Sequence, residues 1–480
     1  MSDSKSDIER LRDSIDCAWE EAHNFGLDPF PTHFELVPAT IMYEFASYTL
    51  PGRFSHWTHG KAYHRQKMMY DFGLSKIYEM VVNTNPSYAF LMEMNDLLQN
   101  TFVAAHVFGH TDFFKNNAYF QHTSRRMIDK VSIHAERIAK YEFEHGKLEV
   151  ERFLDAVLSI QEHVDYNLLL REDEPAKKEE KTTQTEGEYD DLWGLEKKAK
   201  KAEEEREKHR GKPPKFPEKP EKDILLFLSR YAPHLQPWQR DIIEIVRTEM
   251  LYFVPQMQTK VMNEGWASVW HSRIMRKLGD RGVISDSETI EFATLHSGVL
   301  SPSRTSLNPY YLGFKMLEDI ERRWDNPTTE EQERMGRKPG MGHQKIFEVR
   351  ELENDVSFLR NYLTEDLIKD LDLYLYKKEG DEWVIVEKDW RKVRDGIVAS
   401  MTNFGYPYLV VDNGDYRGNR ELYIKHLFEG QELDLLYAEK TLQHVYMLWG
   451  RPVHIETLYE GKRILLSYDG ERNTKSSLEK

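Results

Sequence analysis

A chain of 480 residues, 40% hydrophobic and 31% charged, can bury a large core and should hold two or more domains. Its formal charge of −16 argues against general nucleic-acid binding, which needs a basic footprint, and its longest apolar runs fall short of the roughly 18 residues that a membrane helix requires. A single cysteine, Cys17, rules out an internal disulfide and a cysteine-based zinc site, and both exclusions fit a cytoplasmic protein.

In chain order, Ile8, Leu11, Ile15 and Trp19 fall at helical spacing, so residues from about 5 to 25 read as a helix that Gly26 stops. The polar residues before it do not form a signal-peptide core. Phe34-Glu35-Leu36-Val37 reads as a short strand. The loop Pro51–Lys61, punctuated by Gly52 and Gly60, carries His56, His59 and Lys61, and loops between helices often mount binding groups. From 62 to 170 nearly everything reads as helix, including the apolar run Tyr88–Asn95 with Glu93 inside it. A carboxylate on an apolar face needs a partner, which for Glu93 is a metal, an arginine, or water if it faces out, while Glu136-Arg137 beyond His134 reads as a solvated face.

Residues 171–222 hold 15 Lys/Arg and 16 Asp/Glu and close on Pro213–Pro220, so they read as a flexible charged insertion that cannot bury enough surface to fold alone. Helices resume at 223 and continue to a polar boundary near 345. The last portion, about 365–480, reads strands, helix, two strands, helix, strands, a split β-α-β pattern. The predicted class is therefore α+β: a mainly helical domain built from 1–170 and 223–345, interrupted at 171–222 and followed by a small C-terminal α/β sandwich at 365–480. That last module carries no cluster of ligand-spaced residues and reads as a contact or oligomerisation unit.

Chemistry concentrates in two segments. In Ala105–Asn117, His106 and His110 lie four residues apart, one turn above the other on a single helix face. In Met262–His271, Glu264 and His271 lie seven apart, nearly two turns, and share a face of their own. Three imidazoles and a carboxylate make a candidate cage for one divalent transition metal; the N/O donor set suits zinc, and iron or manganese would fit it too. The bland alternative is a pair of histidines satisfied by carbonyls or buried water. Asn116, near the end of the first segment, joins His56 and Lys61 as a candidate cofactor-binding group.

Several of these segments together resemble the stage V sporulation protein R (SpoVR) family: His56-Trp57…Gly60-Lys61, Asn85-Pro86…Glu93, Ala105-His106…Gly109-His110…Phe113–Asn117, Met262–Ala267…Trp270-His271 and Asn308-Pro309-Tyr310…Leu312-Gly313. The resemblance runs from about 20 to 470. It implies a bacterial protein linked in spore formers to cortex assembly, found also in bacteria that do not sporulate, and accompanied by a serine protein kinase and an accessory protein. It implies no established reaction. More narrowly, Asn263-Glu264-Gly265-Trp266-Ala267 resembles the helix that supplies the third zinc ligand in gluzincin aminopeptidases. In those enzymes a glutamate of the H-E-x-x-H helix is the base, and here that position is Val107. Two readings follow. One is a metal-dependent hydrolase acting on a peptide-like or cell-wall precursor substrate, with Glu93 or Glu136 as base. The other is a non-catalytic regulatory scaffold that partners the kinase.

Overall fold

The computed structural model describes residues 2–71, 79–168, 216–302, 307–380 and 382–478, and it is α+β. The expected flexible insertion falls almost entirely on 169–215, outside the described residues. The chain forms two compact units, 1–151 with 248–406, and 152–247 with 407–480. These limits differ from a division at 170, 222, 345 and 365.

The first unit opens with α1 (Ser2–Asn24), closed at Gly26, whose φ of +90° suits a residue without a Cβ. β1 (Thr32–Val37), α2 (Ala39–Tyr48), α3 (Trp57–Asp71), β2 (Glu79–Val82) and β3 (Ser87–Met92) follow. They include a three-stranded sheet of order β1-β3-β2, in which β3 runs parallel to β1 and antiparallel to β2. The segment Tyr88–Asn95, read above within a helical region, is thus the central strand and the turn after it. A six-residue apolar run buried on both faces shows neither a period of two nor one of 3.6, so its state is set by its neighbours. Trp57–Lys61 likewise begins α3 rather than lying in a loop.

Next come α4 (Leu97–Asn116), α5 (Met127–His145) and α6 (Lys147–Leu158). Asp96 caps α4 by accepting from the Gln99 amide at 2.7 Å. Every residue of α4 from Asn100 to Phe114 is buried, so this helix is a core element with no solvent stripe. Its principal partner is α9 (Lys260–Asp280), which packs in turn on α11 (Pro309–Asp325). Between them in sequence lies α10 (Asp286–Val299), and after α11 come α12 (Thr329–Met335), α13 (Gly342–Leu352), α14 (Asp355–Tyr362) and α15 (Glu365–Asp370). β4 (Leu375–Glu379) and β5 (Glu382–Glu387) form a separate two-stranded ribbon, and α16 (Trp390–Met401) sends Val393 and Val398 into the same core as Trp266 and Trp270. The first strands of the pattern expected at 365–480 therefore pair with each other and do not enter the C-terminal sheet.

Small residues set the α4–α9–α11 spacing. A Cβ on Gly109 would lie 2.6 Å from the Ala267 Cα, and one on Gly265 or Gly313 would run into the other's backbone. Asp112 and Trp266 then fix the register of α4 on α9 through a buried hydrogen bond of 2.8 Å from the indole Nε1 to Oδ2.

The second unit contains the last part of α6, α7 (Ile224–Tyr231) and the first part of α8 (Pro237–Gln258). Its sheet comprises β6 (Leu409–Tyr416), β7 (Glu421–His426), β8 (Val453–Tyr459), β9 (Lys462–Tyr468) and β10 (Asn473–Ser477), in order β10-β9-β8-β7-β6. β7 and β8 are parallel and joined by α17 (Leu435–Trp449), which packs on β8 and β9. This is the strand–helix–strand crossover that the sequence pattern predicts.

The helix contacts give a differential prediction. Gly265→Ala should destabilise the protein by about 1–3 kcal/mol, as overpacking does in a tight core. Gly298→Ala on α10, where an added Cβ meets nothing within 4 Å, should be neutral or stabilising. Urea denaturation midpoints check this; equal midpoints for the two variants would contradict the packing account.

Candidate metal centre

Of the four candidate ligands, the structure brings three to one point. His106 and His110 project from one face of α4 with rings edge-on, centroids 4.5 Å apart. Glu264, on the facing turn of α9, places Oε2 3.7 Å from His106 Nε2 and 3.5 Å from His110 Nε2. One ligand atom from each residue lies within 4.8 Å of the other two, and among the described residues no other group of histidine, cysteine and carboxylate side chains does this. These separations exceed a direct charge-assisted hydrogen bond of about 2.7–2.9 Å. They are close to the edge of a tetrahedron with metal–ligand bonds of about 2.0–2.1 Å, an edge of roughly 3.4 Å.

The remaining ring nitrogens are held from behind. His110 Nδ1 lies 3.0 Å from Asn263 Oδ1, which with that oxygen as acceptor puts the proton on Nδ1 and leaves the Nε2 lone pair toward Glu264. His106 Nδ1 lies 2.8 Å from His271 Nδ1, and His271 Nε2 lies 2.8 Å from Nδ1 of His296 on α10. His271 thus stands behind His106 with both nitrogens engaged, and it is not part of the three-residue group. Tyr310, in the first turn of α11, stacks on the His106 ring at 6.0 Å and hydrogen-bonds to Glu264. Asn308 fixes that turn by accepting from the Tyr310 amide at 3.0 Å.

Protonation states fit ligation. Burial, reinforced by His106, lowers His110 to about 4, and burial with the neighbouring imidazoles holds His271 well below its ordinary value. Burial pushes the Glu264 carboxyl up, but the two adjacent imidazoles, His106 and His110, and the Tyr310 hydroxyl outweigh it, so the net shift is downward. A His110 ring lowered well below neutrality and a carboxyl shifted downward both favour the forms that bind a divalent metal. Glu264 keeps 18% of its side chain exposed against 5% for each histidine, so the centre is reached from its side.

The other candidates lie elsewhere. Glu93 is exposed in the turn after β3, and Glu136 is exposed on α5. It is His134 of α5 that faces inward, with Nδ1 3.0 Å from Glu249 Oε1, while Arg53 Nε donates to the other oxygen at 2.7 Å. His56 is buried with Nδ1 2.7 Å from the Thr58 hydroxyl, and Lys61 is exposed on α3. The Asn116 amide donates to the Asp112 carbonyl at 2.8 Å and to the Asp28 carbonyl at 3.2 Å, pinning the end of α4 to the loop after α1. Val107 is fully buried, so no carboxylate occupies the base position of an H-E-x-x-H helix. Asn263, His296 and Tyr310 were not read as site residues. Asn263 adjoins a ligand in sequence, but His296 and Tyr310 sit on separate helices and share no spacing with the ligands.

The fold and this cluster define a class: an α+β protein with a buried two-histidine, one-glutamate group between core helices. The chain belongs to the SpoVR family, whose description "SpoVR like protein" matches residues 5–406, and "SpoVR-like C-terminal domain" matches 407–460. It is similar to "Uncharacterized protein YcgB" of Escherichia coli (strain K12), 29% identical over 468 residues, which cover 92% of this chain and 90% of that protein. No solved structure matches it. No described helix is long and apolar enough to cross a membrane.

The buried imidazoles predict an acid-sensitive first unit. His59, His110 and His296 are lowered to about 4, chiefly by burial, and His271 is lowered as well. A group depressed on folding stabilises above its unfolded value of 6.5, and that contribution is lost as pH falls toward 4. Burial shifts Asp112 upward and Asp355 up to about 7, and these two act in the opposite sense, losing their contribution as pH rises. Four groups against two predict a lower urea midpoint at pH 5 than at pH 7.5 in chelator-treated protein. An equal or higher midpoint at pH 5 would contradict it.

Proposed function

We propose that this SpoVR-family chain is a metal-binding protein, with one divalent transition metal held by His106, His110 and Glu264. The observation that carries the reading is the placement of the Glu264 oxygen between two Nε2 atoms whose rings are anchored from behind. Two nitrogens and one oxygen suit zinc, and iron or manganese fit the same donors. Structural zinc sites are usually closed by four protein ligands, whereas catalytic sites use three and keep a position open. Three ligands, with Glu264 partly exposed, favour the open kind, in which the metal supplies Lewis acidity. The chemistry this serves best is hydrolysis of a peptide-like or cell-wall precursor bond. Around that metal, Asn263 and His271 orient the ligand rings, and Tyr310 offers a hydroxyl beside Glu264.

A second reading, a regulatory scaffold for a serine protein kinase and an accessory protein, is favoured by one observation. Val107 stands where a base is expected, and Glu93 and Glu136 are exposed away from the cluster. That partnership, like the link to spore cortex, rests on the family resemblance.

Elemental analysis of purified protein should find roughly one transition metal per chain, lost in a His106→Ala/His110→Ala double variant. Equal metal content in both would sink the proposal.

A further inference from the structure

Behind the ligands lies a chain of three imidazoles that ends on a different helix. His106 Nδ1, His271 Nδ1 and Nε2, and His296 Nδ1 are linked by two contacts of 2.8 Å each. His271 is fully buried, while His296 is half-buried on α10, where its ring stacks on Phe292 at 5.7 Å and meets Phe314 edge-on at 5.5 Å.

Hydrogen bonding gives such a chain only two polarities, because each link needs one donor and one acceptor. In the first, His106 carries its proton on Nδ1 and donates to His271 Nδ1. His271 then carries its proton on Nε2 and donates to His296 Nδ1, and His296 carries its own on Nε2. In the second, every proton moves to the other nitrogen of its ring. His296 Nδ1 donates to His271 Nε2, His271 Nδ1–H turns to His106, and His106 bears its proton on Nε2, the nitrogen facing Glu264. Only the first polarity leaves the His106 Nε2 lone pair open to a metal.

We infer that His296 is a positioning residue for the metal centre: by accepting from His271 Nε2–H it selects the polarity in which His106 can ligate. This rests on the metal reading above. Without an acceptor at position 296, the His271 Nε2–H would be a buried donor with no partner, a costly state. The ring would instead place its proton on Nδ1 and donate to His106 Nδ1, and His106 would be pushed toward the tautomer that blocks the metal. The effect passes through two rings, and His296 itself need not touch metal or substrate.

The experiment measures zinc affinity by chelator competition on the full chain, in the wild type and in His110→Ala, His296→Ala and His296→Asn. Asparagine can place an oxygen where the Nδ1 acceptor stood. His296→Ala should weaken zinc binding about tenfold, the low end of what loss of an outer-shell partner costs, and His296→Asn should recover most of it. Affinity in His296→Ala equal to the wild type would overturn the inference. Equal weakening in both His296 variants would also overturn it, because that indicates a packing role. Unchanged affinity in His110→Ala would overturn the metal reading itself, and this inference with it. Nitrogen-15 spectra of the zinc-loaded wild type supply a test that needs no variant to fold. They should show His271 and His296 each protonated at Nε2, and protonation at Nδ1 of either ring would contradict the inference.

Discussion

The centre depends on how closely three helices approach. Gly109 lies one residue before His110, Gly265 one after Glu264, and Gly313 one turn beyond Tyr310. A Cβ at any of the three would strike the backbone of the facing helix. The residues that do the packing are thus interleaved with those that carry the chemistry. A wider α4–α9 spacing would carry the Glu264 carboxylate away from the two imidazoles it now faces at 3.5 and 3.7 Å. Asp112 and Arg350 deepen the constraint. The Asp112 carboxylate accepts from Trp266 on α9 and from the Asp28 amide at 2.8 Å, and Arg350 lies 3.7 Å away. Asp355, from α14, accepts from the Val261 and Met262 amides at 2.9 Å each, tying down the start of α9 just before Glu264.

Burial explains the electrostatics. Phe102, Phe114, Phe292 and Tyr310 pack on the imidazoles and keep water from them, so the buried rings favour their neutral forms and look for partners. Each finds another side chain: Asn263 for His110, and a further histidine for His106 and again for His271. Such anchoring costs side-chain freedom during folding and leaves little to be reorganised when a metal binds.

Much of this was legible in the sequence for simple geometric reasons. The four-residue spacing of His106 and His110 and the aromatic residues around them predict two imidazoles on one face of a core helix, and α4 is that helix. Glu264 could be placed on a helix in the same way, and the order of strands and helix after residue 407 foretold the parallel β7–β8 crossover. Spacing within a segment says nothing of rotation toward another segment, however. His271 shares a face with Glu264 yet lies nearly two turns along α9, beyond the reach of the cluster, where it meets His106 from behind. Tyr310 falls in a segment that resembles the family, but neither it nor His296 shares a spacing with the ligands, because their contribution comes from tertiary packing of α10 and α11. The helical reading of this apolar run predicts a partly buried Glu93; as a strand, β3 ends before it and leaves it in an exposed turn.

The central claim is that His106, His110 and Glu264 hold one metal ion between α4 and α9. Anomalous diffraction at the zinc edge from crystals grown with zinc tests it most directly. The account predicts a single peak per chain at about 2.0–2.2 Å from both Nε2 atoms and a Glu264 oxygen. A zinc peak elsewhere, with these three side chains bonded only to protein or water, would contradict it.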